Sequence, residues 1–197
     1  FQIFGGLRRG EVVNLTIDSI KNLYNNKPII LEVRDNQQRF FKHLSSTSKE
    51  QVKKERDQLV LPVNGLKEMI ISHINTLTNK DGKEPLFQNK NCQAISGVSY
   101  EKKFERIKHK YISELSKTPG RYADVKMLSD SYWGTHICRG LFTNIVMDME
   151  LNPTQIAISR GDSNINSALA YVDEKQSLQS VKRAFETFTF NKEGDDD

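Results

Sequence analysis

The stretch THICRGLFTNIVMDM, residues 135–149, predicts a helix that begins after Thr135, a residue type favoured just before a first helical turn. His136 and Arg139 are three residues apart and therefore share one face of this helix. An imidazole and a guanidinium on one face can converge on a single anion. The alternative is structural: a histidine bonded within its own cap region, beside an arginine in an ordinary salt bridge.

Three further helices are predicted downstream of this one. NPTQIAISRG, residues 152–161, has Asn152 as its cap, Pro153 at the first position and Gly161 as its stop. NINSALAYV, residues 164–172, is a second short helix and carries Tyr171. A phenol with a pKa of about 10 is a weak nucleophile unless its site stabilises the charge, and most tyrosines at helical spacing belong to a core. The third helix, EKQSLQSVKRAFETFTF, is amphipathic, with Leu178, Val181, Phe185 and Phe188 on one stripe.

Upstream, GGLRRGEV, residues 5–12, sets two arginines at the start of a helix that leads through EVVNLTIDSI into an extended segment. Arginines at that place can grip an anion, because the guanidinium fork matches two oxygens and backbone N–H groups face the same way. A surface helix start with solvated charges is the alternative.

PIILEVRD, residues 28–35, and DQLVLPV, residues 57–63, read as two strands, the second ending at Pro62. The lysine-rich connection between them predicts a long hairpin or an extra β-ribbon. Lys53 and Lys54 at its end can reach a phosphate or protonate a leaving oxygen. They can equally be a solvated turn that blunts the edge of a sheet.

Apolar spacing predicts helices in GLKEMIISHINTL and in SYEKKFERIKHKYISEL, the latter with an apolar stripe at Tyr100, Phe104, Ile107, Tyr111 and Leu115. NKDGKEPLFQNKNCQ and SKTPGRYADVK are predicted to be loops, the second with a Pro-Gly turn. The class is therefore α+β, mostly helical, with a small antiparallel β-sheet or hairpin in the N-terminal third.

Composition limits the functional classes. The 197 residues suit one domain or two small ones, and the net charge of +4 permits a nucleic-acid partner without requiring one. Cys92 and Cys138 lack metal-ligand spacing and fit reduced thiols of a cytoplasmic protein. No apolar run approaches the roughly 20 residues that a membrane span needs, and no metal or membrane partner is expected.

Two segments resemble the signatures of the tyrosine recombinase (phage integrase) family. GGLRRGEVVNLTIDSI is similar to the first, roughly T-G-L-R-x-x-E-L-x-x-L. Residues 135–172 are similar to the second, roughly H-x-L-R-H-T-F-A-T, an apolar helix, then L-G-H-x-x-I-x-T-T-x-x-Y, with no gap between His136 and Tyr171. Either half alone is weak. Both halves in order, with a lysine hairpin between them, are specific.

This resemblance implies a set of site residues. Arg8 matches the first catalytic arginine, Glu11 the acidic residue after it, His136 and Arg139 the H-x-x-R pair, and Tyr171 the nucleophile. Counting back from Pro62 places the catalytic lysine of the hairpin at Lys54, with Lys53 as the alternative. The residues expected to contact DNA are Arg9, Lys53, Lys103, Arg106 and Lys110.

The implied activity is site-specific recombination of double-stranded DNA by the integrase of a mobile element, through a 3′-phosphotyrosyl link that needs neither metal nor cofactor. Residues 1–190 would form the catalytic domain and residues 191–197 an acidic, disordered tail. A DNA-clamping domain would precede Phe1. The resemblance also implies a tetramer on DNA, coupled by the C-terminal helix; folding of that helix onto its own domain is the alternative.

Two positions depart from the pattern. Asp162 stands where the family has histidine or tryptophan, which donates a hydrogen bond to the scissile phosphate, and Gly140 stands where histidine usually follows the arginine. An ionised aspartate cannot donate and would repel a phosphate. One alternative is therefore a DNA-binding protein of the same fold with weakened or lost cleavage, acting structurally or as a regulator. A basic helical interaction module with chance matches is the third.

Overall fold

The computed structural model describes residues 1–42, 44, 50–149 and 151–162, and six further positions: Asn166, Leu169, Ser177, Ser180, Val181 and Arg183. The chain divides into two compact units, Phe1–Asn144 and Ile145–Asp197. The predicted acidic tail and most of the two predicted C-terminal helices, including Tyr171, lie outside the described residues.

A three-stranded antiparallel sheet lies in the first unit, with β1 (Ile20–Lys21), β2 (Ile30–Val33) and β3 (Arg56–Leu59) in that spatial order. Ile30 pairs with Leu59 and Val33 pairs with Arg56. The prediction of two paired strands is confirmed. The second strand ends before the predicted Pro62, because the backbone N–H of Leu61 donates to the carbonyl of Phe4 at 2.7 Å and the chain turns towards the first helix.

The helices include the predicted ones, at residues 66–76, 97–115, 136–148 and 153–160. In chain order they are α1 (Gln2–Gly5), α2 (Arg9–Val13), α3 (Gln37–Phe40), α4 (Leu66–Thr76), α5 (Gly97–Leu115), α6 (Tyr122–Asp130), α7 (His136–Asp148) and α8 (Pro153–Arg160), with a 3₁₀ turn at Ile17–Ser19. The mostly helical α+β class is thus confirmed. Helix α7 begins at the residue after Thr135, and α8 has the predicted cap, first position and stop.

Two local predictions were wrong, those for the segment of α6 and for the apolar stripe of α5, and the structure shows which connection joins β2 and β3. Helix α6 occupies most of the predicted loop after the Pro-Gly turn, and Arg121 forms an ion pair with Asp124 across its first turn. The connection between β2 and β3, predicted as a long hairpin or an extra β-ribbon, joins two antiparallel neighbours as a long hairpin. Its described part carries the short helix α3, where Phe40 and the following Phe41 are buried. On α5, Ile107 and Tyr111 are 66% and 51% exposed, so the buried stripe is shorter than predicted.

The first unit contains two clusters of buried apolar side chains. The larger one joins the sheet to α4, and the smaller one gathers Phe40 and Phe41 with Ala94 and Ile95. Helix α2 belongs to both, because Val12 lies in the larger cluster and its neighbour Val13 in the smaller. This five-residue helix therefore packs against both apolar clusters. Because the helix begins directly after Arg8, this packing also fixes the backbone next to Arg8.

The turn between α1 and α2 depends on Gly6, whose φ of 64° is in the left-handed region. Gly6 also lies against the ring of Phe142 on α7, since a Cβ atom placed on it would be 2.5 Å from the ring. Only glycine satisfies both constraints without strain. The sequence Gly6-Leu7-Arg8 is thereby held close to α7.

We expect Gly6→Ala to destabilise the protein far more than an alanine at another left-handed glycine. The backbone conformation alone costs about 1–2 kcal/mol, and overpacking against Phe142 adds about 1–3 kcal/mol. Gly120→Ala is the matched control, because Gly120 has a φ of 80° and a Cβ atom placed on it would meet nothing within 4 Å. Urea unfolding of both variants measures the difference; equal losses would contradict the close packing of α7.

Candidate active site

Arg8 lies at the entrance of α2, and its orientation depends on Glu11. The backbone N–H of Arg8 donates to the carboxylate of Glu11 at 2.7 Å, and its guanidinium Nη1 donates to the same group at 3.2 Å. The Arg8 side chain is 28% exposed, whereas that of Glu11 is 1% exposed. The guanidinium is thus accessible to solvent on one side and fixed by a buried carboxylate on the other.

A second arginine completes the environment of Glu11. Arg56, the first residue of β3, donates from Nη1 and Nη2 to the two carboxylate oxygens at 2.7 and 3.1 Å. Burial by itself raises the pKa of Glu11, but the hydrogen bonds and charges of Arg56 and Arg8 outweigh it, so the pKa of Glu11 lies below its usual value. Glu11 is therefore ionised in the folded protein at neutral pH.

The two candidate lysines, Lys53 and Lys54, precede β3 and are both exposed. The carbonyl of Lys54 accepts a hydrogen bond from Nη1 of Arg56 at 3.3 Å. Because Arg56 is itself bound to Glu11, the backbone of Lys54 is linked to the helix that follows Arg8. This linkage involves the backbone of Lys54 and not its ammonium group, so the choice between Lys54 and Lys53 stays a prediction.

His136 and Arg139 lie on the first turn of α7, as the spacing predicted. His136 is exposed, whereas Arg139 is buried and its Nη1 donates to the carbonyl of Gly6. Arg139 thus binds the backbone two residues before Arg8, and the backbone of Lys54 is linked to Arg8 through Arg56 and Glu11. A Cβ atom at Gly140 would meet nothing within 4 Å, so packing does not require glycine there.

The predicted nucleophile, Tyr171, lies outside the described residues, and its role stays a prediction. Asp162 is described, in the second unit, at the end of α8. Gly161 adopts a left-handed conformation with φ of 64°, which reverses the chain so that the N–H of Asp162 donates to the carbonyl of Ala157 at 3.0 Å. This reversal places Asp162 beside Arg160.

Asp162 forms a buried ion pair. Nε of Arg160 lies 2.9 Å from Oδ2 of Asp162, and the two side chains are 8% and 7% exposed. The family pattern L-G-H has leucine where this chain has Arg160, so both residues that flank Gly161 depart from the pattern, and the two bind each other. A buried carboxylate needs such a partner. The sequence pattern pointed to Asp162 alone, because its pairing with Arg160 depends on the left-handed conformation of Gly161 between them.

The residues expected to contact DNA differ in their surroundings. Lys103, Arg106 and Lys110 are exposed and follow one another at helical spacing on α5. Arg9 is instead bound to two carboxylates, those of Glu50 and Glu101. Among the described residues, no group of three or more His, Cys, Asp or Glu side chains could hold a metal ion. Within that same part of the chain, no helix is long and apolar enough to cross a membrane.

Solved structures of tyrosine recombinases share this fold. The chain matches the Tn1549 transposon integrase in complex with a circular intermediate DNA (TM-score 0.60, 18% identity, 86% of this chain and 51% of that one). It also matches XerA recombinase, with a TM-score of 0.56 and 13% identity over 92% of this chain and 53% of that one. A third match is XerH site-specific recombinase bound to a palindromic difH substrate in a post-cleavage complex, with a TM-score of 0.59 and 17% identity over 94% of this chain and 44% of that one. No protein-family model and no curated protein matches the chain.

The chain therefore has the fold of the catalytic domain of tyrosine recombinases, as its two signatures predicted. It spans about half the length of the structures that it matches. The sequence did not reveal that Arg56 and Glu50 support the site. Each lies about forty residues from its partner in the chain, and charged residues of this kind are usually surface residues.

Loss of the Glu11 carboxylate should destabilise the protein strongly. In Glu11→Gln the Arg56 side chain, only 10% exposed, loses the negative charge of the carboxylate that binds it, and removing one member of a buried ion pair costs about 3–5 kcal/mol. Folding lowers the pKa of Glu11 below its reference value of 4.5. The carboxylate therefore stabilises the folded protein fully above pH 4.5, and this stabilisation is lost as the pH falls further. The difference in the free energy of unfolding between wild type and Glu11→Gln, measured by urea unfolding, should thus become smaller below pH 4.5.

The matched control is Glu32→Gln, which removes an exposed ion pair with Lys21 at 3.1 Å and should cost less than about 1 kcal/mol. A loss of similar size in the two variants would contradict the central position of Glu11.

Arg160 and Asp162 should behave as one unit. Arg160→Leu and Asp162→His each remove one member of this buried ion pair, at about 3–5 kcal/mol, whereas the double variant removes both charges together. We expect the double variant to unfold with a free energy near that of wild type, and the double-mutant cycle to give a coupling of at least about 1 kcal/mol. Additive losses would mean that the ion pair is not formed.

Proposed function

We propose that this chain is the catalytic domain of a site-specific DNA recombinase, the integrase of a mobile element. It would cut and rejoin double-stranded DNA in the cytoplasm through a 3′-phosphotyrosyl intermediate. One observation carries the proposal: Arg139 binds the backbone two residues before Arg8, and the lysine segment is linked to Arg8 through Arg56 and Glu11. The segments that carry three of the cationic residues that this chemistry requires are thus connected in the fold.

In the proposed cleavage step, Tyr171 loses its phenolic proton, for which His136 is the proposed acceptor, and its oxygen attacks the scissile phosphorus. A bond forms between that oxygen and phosphorus, and the bond from phosphorus to the 5′-oxygen breaks. The leaving oxygen takes a proton from the ammonium group of Lys54, which gives a 5′-hydroxyl. The 5′-hydroxyl of another strand reverses the step and joins new partners. The covalent intermediate conserves the energy of the phosphodiester bond.

The two arginines would stabilise the transition state. Negative charge increases on the non-bridging oxygens as the tyrosine attacks, and fixed guanidinium groups aimed at those oxygens are among the strongest stabilising devices. Arg8 is fixed by Glu11 and Arg139 by the carbonyl of Gly6, so neither needs large reorientation when DNA arrives. The exposed His136 would orient the phosphate or assist proton transfer.

The exposed cations of α5 supply a surface for the DNA backbone. Lys103, Arg106 and Lys110 would contact phosphates, which gives affinity that falls with salt and carries no sequence information. The Tn1549 integrase and XerH structures are complexes with DNA, which supports this partner. Assembly as a tetramer through the C-terminal helix and a DNA-clamping domain before Phe1 complete the proposal.

A second candidate function is DNA binding without cleavage. Asp162 favours it, because an acidic residue replaces the hydrogen-bond donor of the family pattern. The ion pair with Arg160 argues in the other direction, since a carboxylate that is bound and neutralised repels a phosphate less than an isolated one. The two functions differ in one observable, which is the covalent protein–DNA adduct.

The deciding experiment uses a nicked suicide duplex with the end sequence of the element that encodes the protein. Wild type should form an adduct that survives a denaturing gel, and Tyr171→Phe should form none. Arg8→Ala should slow adduct formation by about 10²–10³-fold, the usual loss when one transition-state donor is removed. A wild-type protein that binds this duplex and forms no adduct would establish the non-cleaving function instead.

A further inference from the structure

The lysine segment, residues 50–56, is attached to α2 at both of its ends. At the far end, Arg56 binds Glu11 with two hydrogen bonds of 2.7 and 3.1 Å. At the near end, the buried carboxylate of Glu50 accepts a hydrogen bond from Nη2 of Arg9 at 3.3 Å. Arg9 and Glu11 flank a single residue of α2, so one short helix determines where the segment begins and ends.

Backbone contacts strengthen the near end. The side-chain amide of Asn14 donates to the carbonyl of Glu50 at 3.3 Å and to the carbonyl of Gly10 at 2.7 Å. Gly10 has no side chain, and a Cβ atom placed there would be 3.0 Å from the carbonyl oxygen of Gln51. The backbone of the segment therefore lies directly on α2, within the three residues that follow Arg8.

The surroundings of Arg9 disfavour a role as a phosphate ligand. Its guanidinium is bound to Glu50 and also to Glu101 of α5, so this cluster has two carboxylates for one cation. A net negative cluster repels phosphate, in contrast to the exposed cations at Lys103, Arg106 and Lys110. The contact with Glu50 links Arg9 to the lysine segment, and the contact with Glu101 links it only to α5.

We infer that Arg9 is a positioning residue for the proposed general acid: through Glu50 it holds the lysine segment on α2, so that Lys54 reaches the leaving 5′-oxygen beside Arg8. This inference rests on the proposed function. Arg9 does not touch the DNA. Its removal should impair the protonation of the leaving group and leave DNA affinity and the stabilisation of the non-bridging oxygens intact.

Sulfur in place of the bridging 5′-oxygen separates these effects. A thiol ionises near pH 8.5, so the sulfur leaves as a thiolate and needs no proton from Lys54. In this reaction the bond from phosphorus to sulfur breaks, and the tyrosine–phosphorus bond forms as before. A variant that has lost only the general acid recovers on the sulfur substrate, whereas a variant that binds DNA poorly or has lost a transition-state arginine does not.

The experiment compares Arg9→Gln, Glu50→Gln and Lys54→Ala with wild type on the two substrates, using the full chain. We expect Arg9→Gln and Glu50→Gln to cleave the oxygen substrate about 10- to 100-fold more slowly, the loss that follows from misplacing a catalytic group by about 1 Å. On the sulfur substrate both should return to within about threefold of wild type, as Lys54→Ala does. The slope of DNA affinity against salt should not change.

Glu101→Gln is the matched control, because it breaks the other ion pair of Arg9 at a carboxylate that is 49% exposed. It should leave cleavage of both substrates within about twofold of wild type. If Glu101→Gln lost as much rate as Glu50→Gln, or if the Arg9→Gln defect persisted on the sulfur substrate, the positioning role would be wrong.

A second measurement does not depend on activity. Hydrogen exchange of the amides in residues 50–56 should be faster in Arg9→Gln than in Glu101→Gln, with no change in β2 or α4. Unchanged exchange in Arg9→Gln would overturn the inference. Failure of wild type to form an adduct would instead count against the proposed function, while the exchange result would still report whether Arg9 holds the segment.

Discussion

The buried carboxylate of Glu11 is the constraint on which the candidate site depends. A charge that is almost fully removed from water must be compensated, and here Arg8 and Arg56 both compensate it. Arg8 directly precedes α2, and Arg56 is the first residue of β3. Because both bind the carboxylate of Glu11, these hydrogen bonds also fix the position of the hairpin on the helix. The contact of Arg139 with the carbonyl of Gly6 adds α7 to the same arrangement. Three segments that are distant in sequence thus meet at this place. They meet because two groups accept their hydrogen bonds, the carboxylate of Glu11 and the backbone carbonyl of Gly6.

Much of the fold was predictable because its signals are local. The cap at Asn152, the proline after it and the glycine at 161 determine α8 by interactions within one or two turns. The same holds for the apolar spacing of α4 and for the start of α7 after Thr135. Helix α6 was missed because a proline and a glycine just before it dominate the local pattern, although its own residues suit a helix. The exposure of Ile107 and Tyr111 could not be predicted either, since periodicity shows that residues share a face and not what covers that face.

The candidate site was predictable to the extent that its residues match the two family signatures in order. Arg8, His136 and Arg139 were predicted in this way, and the structure adds the contacts of Arg8 with Glu11 and of Arg139 with the carbonyl of Gly6. The supporting residues were not found, because Arg56 and Glu50 act on side chains about forty positions away, and no spacing rule links such distant residues. Arg160 and Asp162, in contrast, are only two residues apart in the chain. Their ion pair was still not predicted, because it depends on the left-handed conformation of Gly161 between them.

A site built to bind a phosphodiester must hold several cations close together before the anion arrives. Their mutual repulsion would otherwise be relieved by movement of the long side chains, and that movement would have to be reversed at each binding event. In this protein a buried carboxylate lies behind the cation that is expected to bind the phosphate: Glu11 binds Arg8, and Arg56 binds the same carboxylate. A guanidinium has five N–H donors in a rigid fork, so binding to a carboxylate fixes its direction without ending its capacity to bind an anion. By the same logic the acid at position 162 conflicts less with the proposed phosphate chemistry when Arg160 is bound to it, because the ion pair presents little net charge.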